Sequence, residues 1–470
     1  MKHPDALPFA VALILLTTAA YCACGQPPEV DLEGHIDEFL GRIYKPADPG
    51  AAVIVVREGQ VVYRRAFGMA NLEMGVPLAA DMVFAIGSAT KPFTAMAVMM
   101  LAENGKLSLD DDITKHLPRF PTHDQKITIR HLLTHTSGLK RLHSIETYWE
   151  RIREDITVDE LLGVFKDHPL EFSPGEKSEY CNSGYYLLGR IIEKTSGQTY
   201  EQFVLENIFD RLGMVNTCFA DNRKLIPRRV SGYHKEDGEY VNAPFMSYTH
   251  LYAAGAVMTN VEDLAKWSEA LRSETLISKS GLEELFTPFV LNNGKPAERC
   301  PGWFSAEFGE HKAVYHGGGI FGFIVHTIYI PAKQLYIALL SNRIDRRANP
   351  PTRVVAERVM HMALSGSAEK MERKAIRLAP QELDRYTGSY KRSDSRGTQH
   401  LRTIVRDNGR LLFDSGPSGT FELLPESRST FFIEGKQSIF TFEFGQSEEV
   451  VKMVLHLGGE GGRKIVFEKE

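Results

Sequence analysis

Cysteine is scarce in this chain, with five residues among 470. Two of them, Cys22 and Cys24, sit in the N-terminal segment, leaving Cys181, Cys218 and Cys300 in the body. Three widely spaced cysteines exclude a disulfide framework as the main source of stability, although one pair among them stays open. A dominant charge is lacking too. The formal net charge is −5 and no basic stripe stands out, which argues against a nucleic-acid partner. Long apolar runs are missing after Leu7–Ala20. That run is short for a membrane span and follows Lys2 and His3. With Cys22-Ala-Cys24-Gly25 after it, residues 1–24 read as a signal peptide, so the protein is expected to be exported, periplasmic or extracellular. A lipid on Cys22 or Cys24, or an uncut apolar anchor, are the alternatives, and either would hold the N-terminus to a membrane. Internal repeats and low-complexity tracts are absent, which argues against a solenoid.

What is present begins with Ser88 and Lys91, spaced i, i+3 ahead of an apolar stretch that includes Phe93, Met96, Val98 and Leu101. On a helix these two side chains face the same way, so the lysine amine can take the proton from a serine that is otherwise a weak nucleophile. The helix start also points N–H groups and positive dipole toward the serine oxygen. A bland reading stands beside this one: a capping serine and a surface lysine. The same pattern recurs at Ser367 and Lys370, in a polar stretch with no apolar helix behind it, and reads there as linker.

Tyr180-Cys181-Asn182 follows the Pro174-Gly175 turn and opens a helical pattern. A phenol can relay protons if nearby positive charge lowers its pKa, and Lys91 is the expected source of that charge. Asn182 offers an amide for a substrate carbonyl or for the lysine. Cys181 between them reads as a packing residue. Tyr240 and Asn242 repeat the spacing, which shows how common it is. His316-Gly317-Gly318-Gly319 follows an alternating stretch and reads as a strand edge where a ligand approaches the backbone closely.

The order of these clusters resembles the penicillin-recognising serine hydrolases: Ser-x-x-Lys, then Tyr-x-Asn about ninety residues on, then His-Gly-Gly late in the chain. The resemblance is strongest to the class C β-lactamase, DD-peptidase, D-aminopeptidase and esterase branch. It runs from about Ile36 to about Leu364 and includes Ile127–Leu139, Phe172–Gly175 and Ala253–Lys266. It implies that Ser88 is the acylated nucleophile and that Lys91 and Tyr180 handle protons. It also implies that Asn182, His316, Gly317 and Gly318 contact substrate, and that the N–H groups of Ser88 and Gly319 form an oxyanion hole. His316 departs from the lysine that β-lactamases usually carry in Lys-Thr-Gly. A lysine is a permanent cation, whereas a histidine is largely neutral at pH 7, so efficient β-lactam hydrolysis is not expected. An ionisation of His316 between about pH 5.5 and 7.5 would appear in the rate. The implied activity is hydrolysis of amide or ester bonds, in D-amino-acid peptides or carboxylesters. The alternatives are a weak β-lactamase and a non-catalytic protein that senses or binds peptidoglycan.

The expected fold class is α+β. Ala51–Val56 and Val61–Phe67 flank a Glu58-Gly59 turn and form a hairpin. Phe323–Ile330 and Gln334–Leu340 return as strands. The two ends therefore pair in one antiparallel sheet, with a helical insertion between them and the site at the junction. A capping box from Thr259 to Glu262 is expected to open a helix over Val261–Leu271. The hydrolase domain is expected over 30–364, a linker over 365–380, and a small all-β barrel or sandwich, lipocalin-like, over 381–470. Specificity is expected in loops near Leu139–His168 and Lys235–Leu251. His131 and His135 have zinc-compatible spacing, but the glutamate of His-Glu-x-x-His and a third ligand are missing. They read as histidines bonded to backbone, and no metal or other cofactor is expected. The expected partner is a small-molecule or peptide substrate, with oligomeric state open.

Overall fold

A computed structural model of the chain describes residues 31–308, 310–345, 350–365, 375–393, 399–416, 419–433, 438–445, 447–457 and 463–470. The signal-peptide segment, residues 366–374 of the expected linker and the Ser367 and Lys370 pair lie outside them. The centre is a seven-stranded antiparallel sheet. Its order is Arg299–Cys300, Trp303–Phe308, His311–Ile320, Phe323–Ile330, Leu335–Ser341, Ala51–Arg57 and Gln60–Phe67. The chain ends meet as expected, with Ala51 opposite Ser341 and Arg57 opposite Leu335. The Ala51–Arg57 hairpin turns at Glu58 and Gly59, both at positive φ (52° and 80°), the twist that suits adjacent antiparallel strands.

Strand Ala51–Arg57 is apolar on both faces because both are covered. Val53 and Val55 face the terminal helices Leu32–Ile43 and Thr352–Ser365, packing with Ile36, Leu40, Val355 and Val359. Ala52, Ile54 and Val56 face the helical insertion, whose core helix Lys91–Glu103 is buried along almost its whole length. That burial explains why its sequence is apolar all round. The helix Val261–Arg272 is capped one residue later than the expected Thr259–Glu262 box. Asn260 accepts the Asp263 N–H at 2.8 Å, because Thr259 is taken up by a strand that pairs with Phe84.

The C-terminal strands, from Gly388–Ser393 to Arg463–Lys469, close into an eight-stranded barrel, with Tyr390 opposite Lys469 at the seam. Asp407-Asn408-Gly409 makes its tightest turn, with Asn408 and Gly409 both at positive φ. Tyr386, Tyr390, Phe413, Phe431, Phe440 and Phe442 fill the interior, so the barrel is a packed core rather than a cup. Cys181, Cys218 and Cys300 are free thiols. No helix among the described residues is long and apolar enough to cross a membrane.

Candidate active site

Ser88 lies in the single turn Gly87–Thr90 that leads into the Lys91–Glu103 helix. The turn is pressed against the strand His311–Ile320. Gly87 has φ +50°, and a Cβ on Gly318 would sit 1.8 Å from the Ile86 carbonyl oxygen, so only glycine lets the strand approach this closely. From His316 onward this strand has a ladder partner on one side only, because Trp303–Phe308 pairs no further than Tyr315. The expected edge is therefore local: an interior strand whose last residues are open toward Ser88.

Lys91 shares a 3.2 Å hydrogen bond with Ser88 Oγ and donates to the Ala254 carbonyl at 2.7 Å. It is completely buried and forms no ion pair among the described residues. Burial drives its pKa well below the usual 10.5. The shift favours the uncharged amine, whose lone pair suits Lys91 to take the Ser88 proton itself.

Tyr180 reaches the same place from the loop before helix Asn182–Ser196. His135 holds that loop: its Nδ1 accepts the Cys181 N–H at 3.1 Å, and its ring packs on Tyr180 with centroids 4.5 Å apart. His131 Nδ1 likewise accepts the Thr128 N–H and completes a helix cap. The Cys181 thiol is buried and donates to the Leu139 carbonyl at 3.5 Å, and burial pushes its pKa up. The Tyr180 hydroxyl is buried beside Ser88. Burial raises its pKa above the usual 10, opposed by the nearby Ser88 hydroxyl and the Arg299 charge, and the hydroxyl itself has no hydrogen-bond partner among the described residues. This corrects the expectation that Lys91 would lower it. The same desolvation that acidifies the lysine makes the phenol a weaker acid, so the phenol is the proton-bearing member of the pair.

Asn182 Nδ2 donates to His143 Nδ1 at 3.0 Å, while its Oδ1 is buried with no partner among the described residues. That oxygen is placed to accept an N–H. Burial lowers the His143 pKa to about 4, so the ring is neutral and its Nδ1 accepts.

His316 Nδ1 donates to the Gly317 carbonyl at 2.6 Å, which leaves Nε2 as an unprotonated acceptor, buried and without a partner among the described residues. Burial holds its pKa well below 6.5. His316 is therefore a neutral acceptor, and an ionisation between pH 5.5 and 7.5 is not expected from it. Its ring lies 6.3 Å from that of Tyr180.

Ser88 and Gly319 stand between two cavities. One, of about 120 Å³, is lined by His143, Trp149, Asn182, Met246 and Phe321 among others. Both loops expected to carry specificity contribute to it. The second, of about 430 Å³, contains Tyr180, His316, Gly317, Gly318 and Arg353. The structure thus gathers all eight residues singled out in the sequence, from Ser88 to Gly319. Tyr240 and Asn242 lie elsewhere, in a hairpin where Asn242 binds Glu73. His143, Arg299 and Arg353 carried no sequence signal, since each stands alone in a loop or at an element end.

A family model described as Beta-lactamase matches residues 34–359. The chain belongs to the beta-lactamase family. It is 30% identical over 452 residues to penicillin-binding protein 4* of Bacillus subtilis (strain 168), spanning 89% of this chain and 98% of that protein. The octameric penicillin-binding protein homologue from Pyrococcus abyssi matches in structure with a TM-score of 0.64 and 26% identity, over 93% of this chain and 99% of that one. A D-amino acid amidase from Ochrobactrum anthropi SV3 shares the fold at a TM-score of 0.59 and 24% identity, over 71% of this chain and 97% of that one. This beta-lactamase-family hydrolase therefore has the α+β penicillin-binding-protein fold, followed by a closed eight-stranded barrel.

Proposed function

We propose that the protein is an exported serine hydrolase that cleaves amide or ester bonds through an acyl-enzyme on Ser88. The observation that carries this is a buried lysine amine 3.2 Å from a serine hydroxyl at a helix start, with burial holding its pKa well below the usual 10.5. Lys91 takes the Ser88 proton as Oγ attacks the carbonyl carbon, and the N–H groups of Ser88 and Gly319 receive the oxyanion. The lysine proton passes through Tyr180 to the departing nitrogen or oxygen. Water, deprotonated by the same pair, then attacks the ester carbonyl and returns Ser88.

The cavities guide the choice of substrate. The 120 Å³ cavity has no acidic side chain among the described residues that line it, and His143 within it is neutral. A free ammonium there would have no counter-charge, so the acyl group is uncharged, either N-acylated or a simple carboxylic acyl group. Among D-amino-acid peptides and carboxylesters, blocked peptides and esters are favoured over free D-aminoacyl amides. The unpaired Asn182 Oδ1 supports amides, whose N–H it can accept. On the opposite side neutral His316 supplies no cation, and Arg353 is engaged by Glu357. Weak β-lactamase activity follows. Export rests on the Leu7–Ala20 run, and a division into hydrolase, linker and barrel at 365–380 on the composition there.

The test is a panel of p-nitrophenyl esters, N-acetylated and free D-aminoacyl p-nitroanilides, D-Ala-D-Ala peptides and nitrocefin, run on wild type and Ser88→Ala. Multiple turnover of blocked substrates, lost in Ser88→Ala, is expected. Acylation without turnover on every member would favour a non-catalytic binding protein.

A further inference from the structure

Arg299 is an expensive residue for this fold. Its guanidinium lies 3.6 Å from the Phe304 ring centroid, and its Nε is buried with no hydrogen-bond partner among the described residues. No carboxylate among the described residues forms an ion pair with it. A partly desolvated cation with no paired carboxylate costs stability unless something supplies the missing charge.

The space beside it fits that role. A cavity of about 450 Å³ lies between the sheet-and-helix body and the barrel, within the usual range for small-ligand sites and at a favoured place for them. The body contributes Pro296–Arg299, and the barrel contributes Arg392, Ser393 and the segment Lys464–Val466. Among the described residues three cations line it, Arg299, Arg392 and Lys464, against one acid, Glu298. Neither Arg392 nor Lys464 has an ion-pair partner among the described residues. Among the described residues the surplus is two positive charges, on walls that also offer apolar surface.

We propose that this cavity binds a small dianion through carboxylate or phosphoryl oxygens, with half-buried Arg299 as the anchor and Arg392 and Lys464 as the barrel's contribution. Arg299 offers forked donors that match either group. The site would give the barrel a role in the enzyme, since the cavity is incomplete without it. It would also reach the catalytic centre. Phe304, on which Arg299 stacks, lies 5.2 Å from the His316 ring and 6.1 Å from the Tyr180 ring, and the Arg299 charge favours ionised Tyr180. An anion on Arg299 weakens that field, so occupation should slow proton relay. This last consequence rests on the role given to Tyr180 above, whereas the binding site does not.

The test is calorimetric titration of the full chain with inorganic phosphate and, separately, with succinate, at fixed ionic strength. Saturable one-site binding of at least one anion is expected, and the arm that binds identifies phosphoryl or carboxylate chemistry. In Arg392→Gln/Lys464→Gln, whose substituted side chains lie on the barrel away from Ser88, affinity should fall roughly tenfold or more. Ser88→Ala should bind as wild type does, which keeps the result readable if the serine assignment fails. Absence of saturable binding in both arms, or equal affinity in the double variant, would overturn the site. In wild type, kcat/KM for a p-nitrophenyl ester should fall about threefold at saturating anion. An unchanged value would overturn the coupling.

Discussion

Replacing Lys91 by methionine should cut the activity sharply and change how the protein's stability depends on pH. The lysine is fully buried, touches no carboxylate among the described residues, and has a pKa held well below 10.5 by desolvation. Between that depressed value and 10.5 the folded amine is neutral while the unfolded one is protonated. The unfolded state then binds more protons, so stability rises with pH across this window, by about 1.4 kcal/mol per unit. Above 10.5 both states are neutral and the slope ends. Below the folded pKa both are charged, the slope vanishes and the full penalty remains. Methionine has no such term. It does strip the Ala254 carbonyl of its 2.7 Å donor, a cost of about 1–3 kcal/mol that does not depend on pH. The diagnostic is therefore the slope. In urea denaturation at pH 7, 8, 9 and 10, wild type should gain on Lys91→Met by roughly 3 kcal/mol over two units within the window. Other titrating groups are common to both proteins and cancel. Parallel curves would show that Lys91 is charged in the fold and would refute its role as resting base. Activity should fall by about 10²–10⁴ from loss of the base alone.

Asn182→Leu removes the unpaired Oδ1 and should reduce kcat/KM on an amide roughly tenfold more than on the matching ester; equal losses would contradict its role as acceptor. His316 is held neutral well below pH 6.5, so the kcat/KM profiles of wild type and His316→Gln should have the same shape above pH 6.5. A wild-type inflection near neutrality that disappears in His316→Gln would show the opposite. Gly318→Ala puts a methyl 1.8 Å from the Ile86 oxygen, which forces the strand away from Ser88. Activity should fall at least about 10²-fold, with a stability loss of about 1–3 kcal/mol in thermal or urea unfolding; a wild-type-like enzyme would refute the close approach.

Periodicity made much of this legible. Ser88 and Lys91 share a helix face because three residues is nearly one turn, and the apolar run behind them marks a buried helix. The pairing of Ala51–Arg57 with Leu335–Ser341 could be read from apolar strands at both ends of the domain. Protonation could not, because it depends on burial. Lys91 was expected to lend charge to Tyr180, yet the cavity that brings them together strips charge from one and discourages it on the other. Nor could sequence find His143 or Arg353, which lie in a loop and in the first turn of the last body helix and reach the cavities only through tertiary packing. The role of His131 and His135 was half visible. They read as histidines bonded to backbone, and in the fold each accepts a backbone N–H, but which backbone was hidden: one caps a helix and the other fixes the loop at Cys181.

Mass spectrometry of the protein after exposure to a fluorophosphonate tests the central claim most directly. The account predicts a single adduct on the peptide carrying Ser88, slowed strongly in Lys91→Met and absent in Ser88→Ala. An adduct on another residue, or one that persists undiminished in Ser88→Ala, would contradict it.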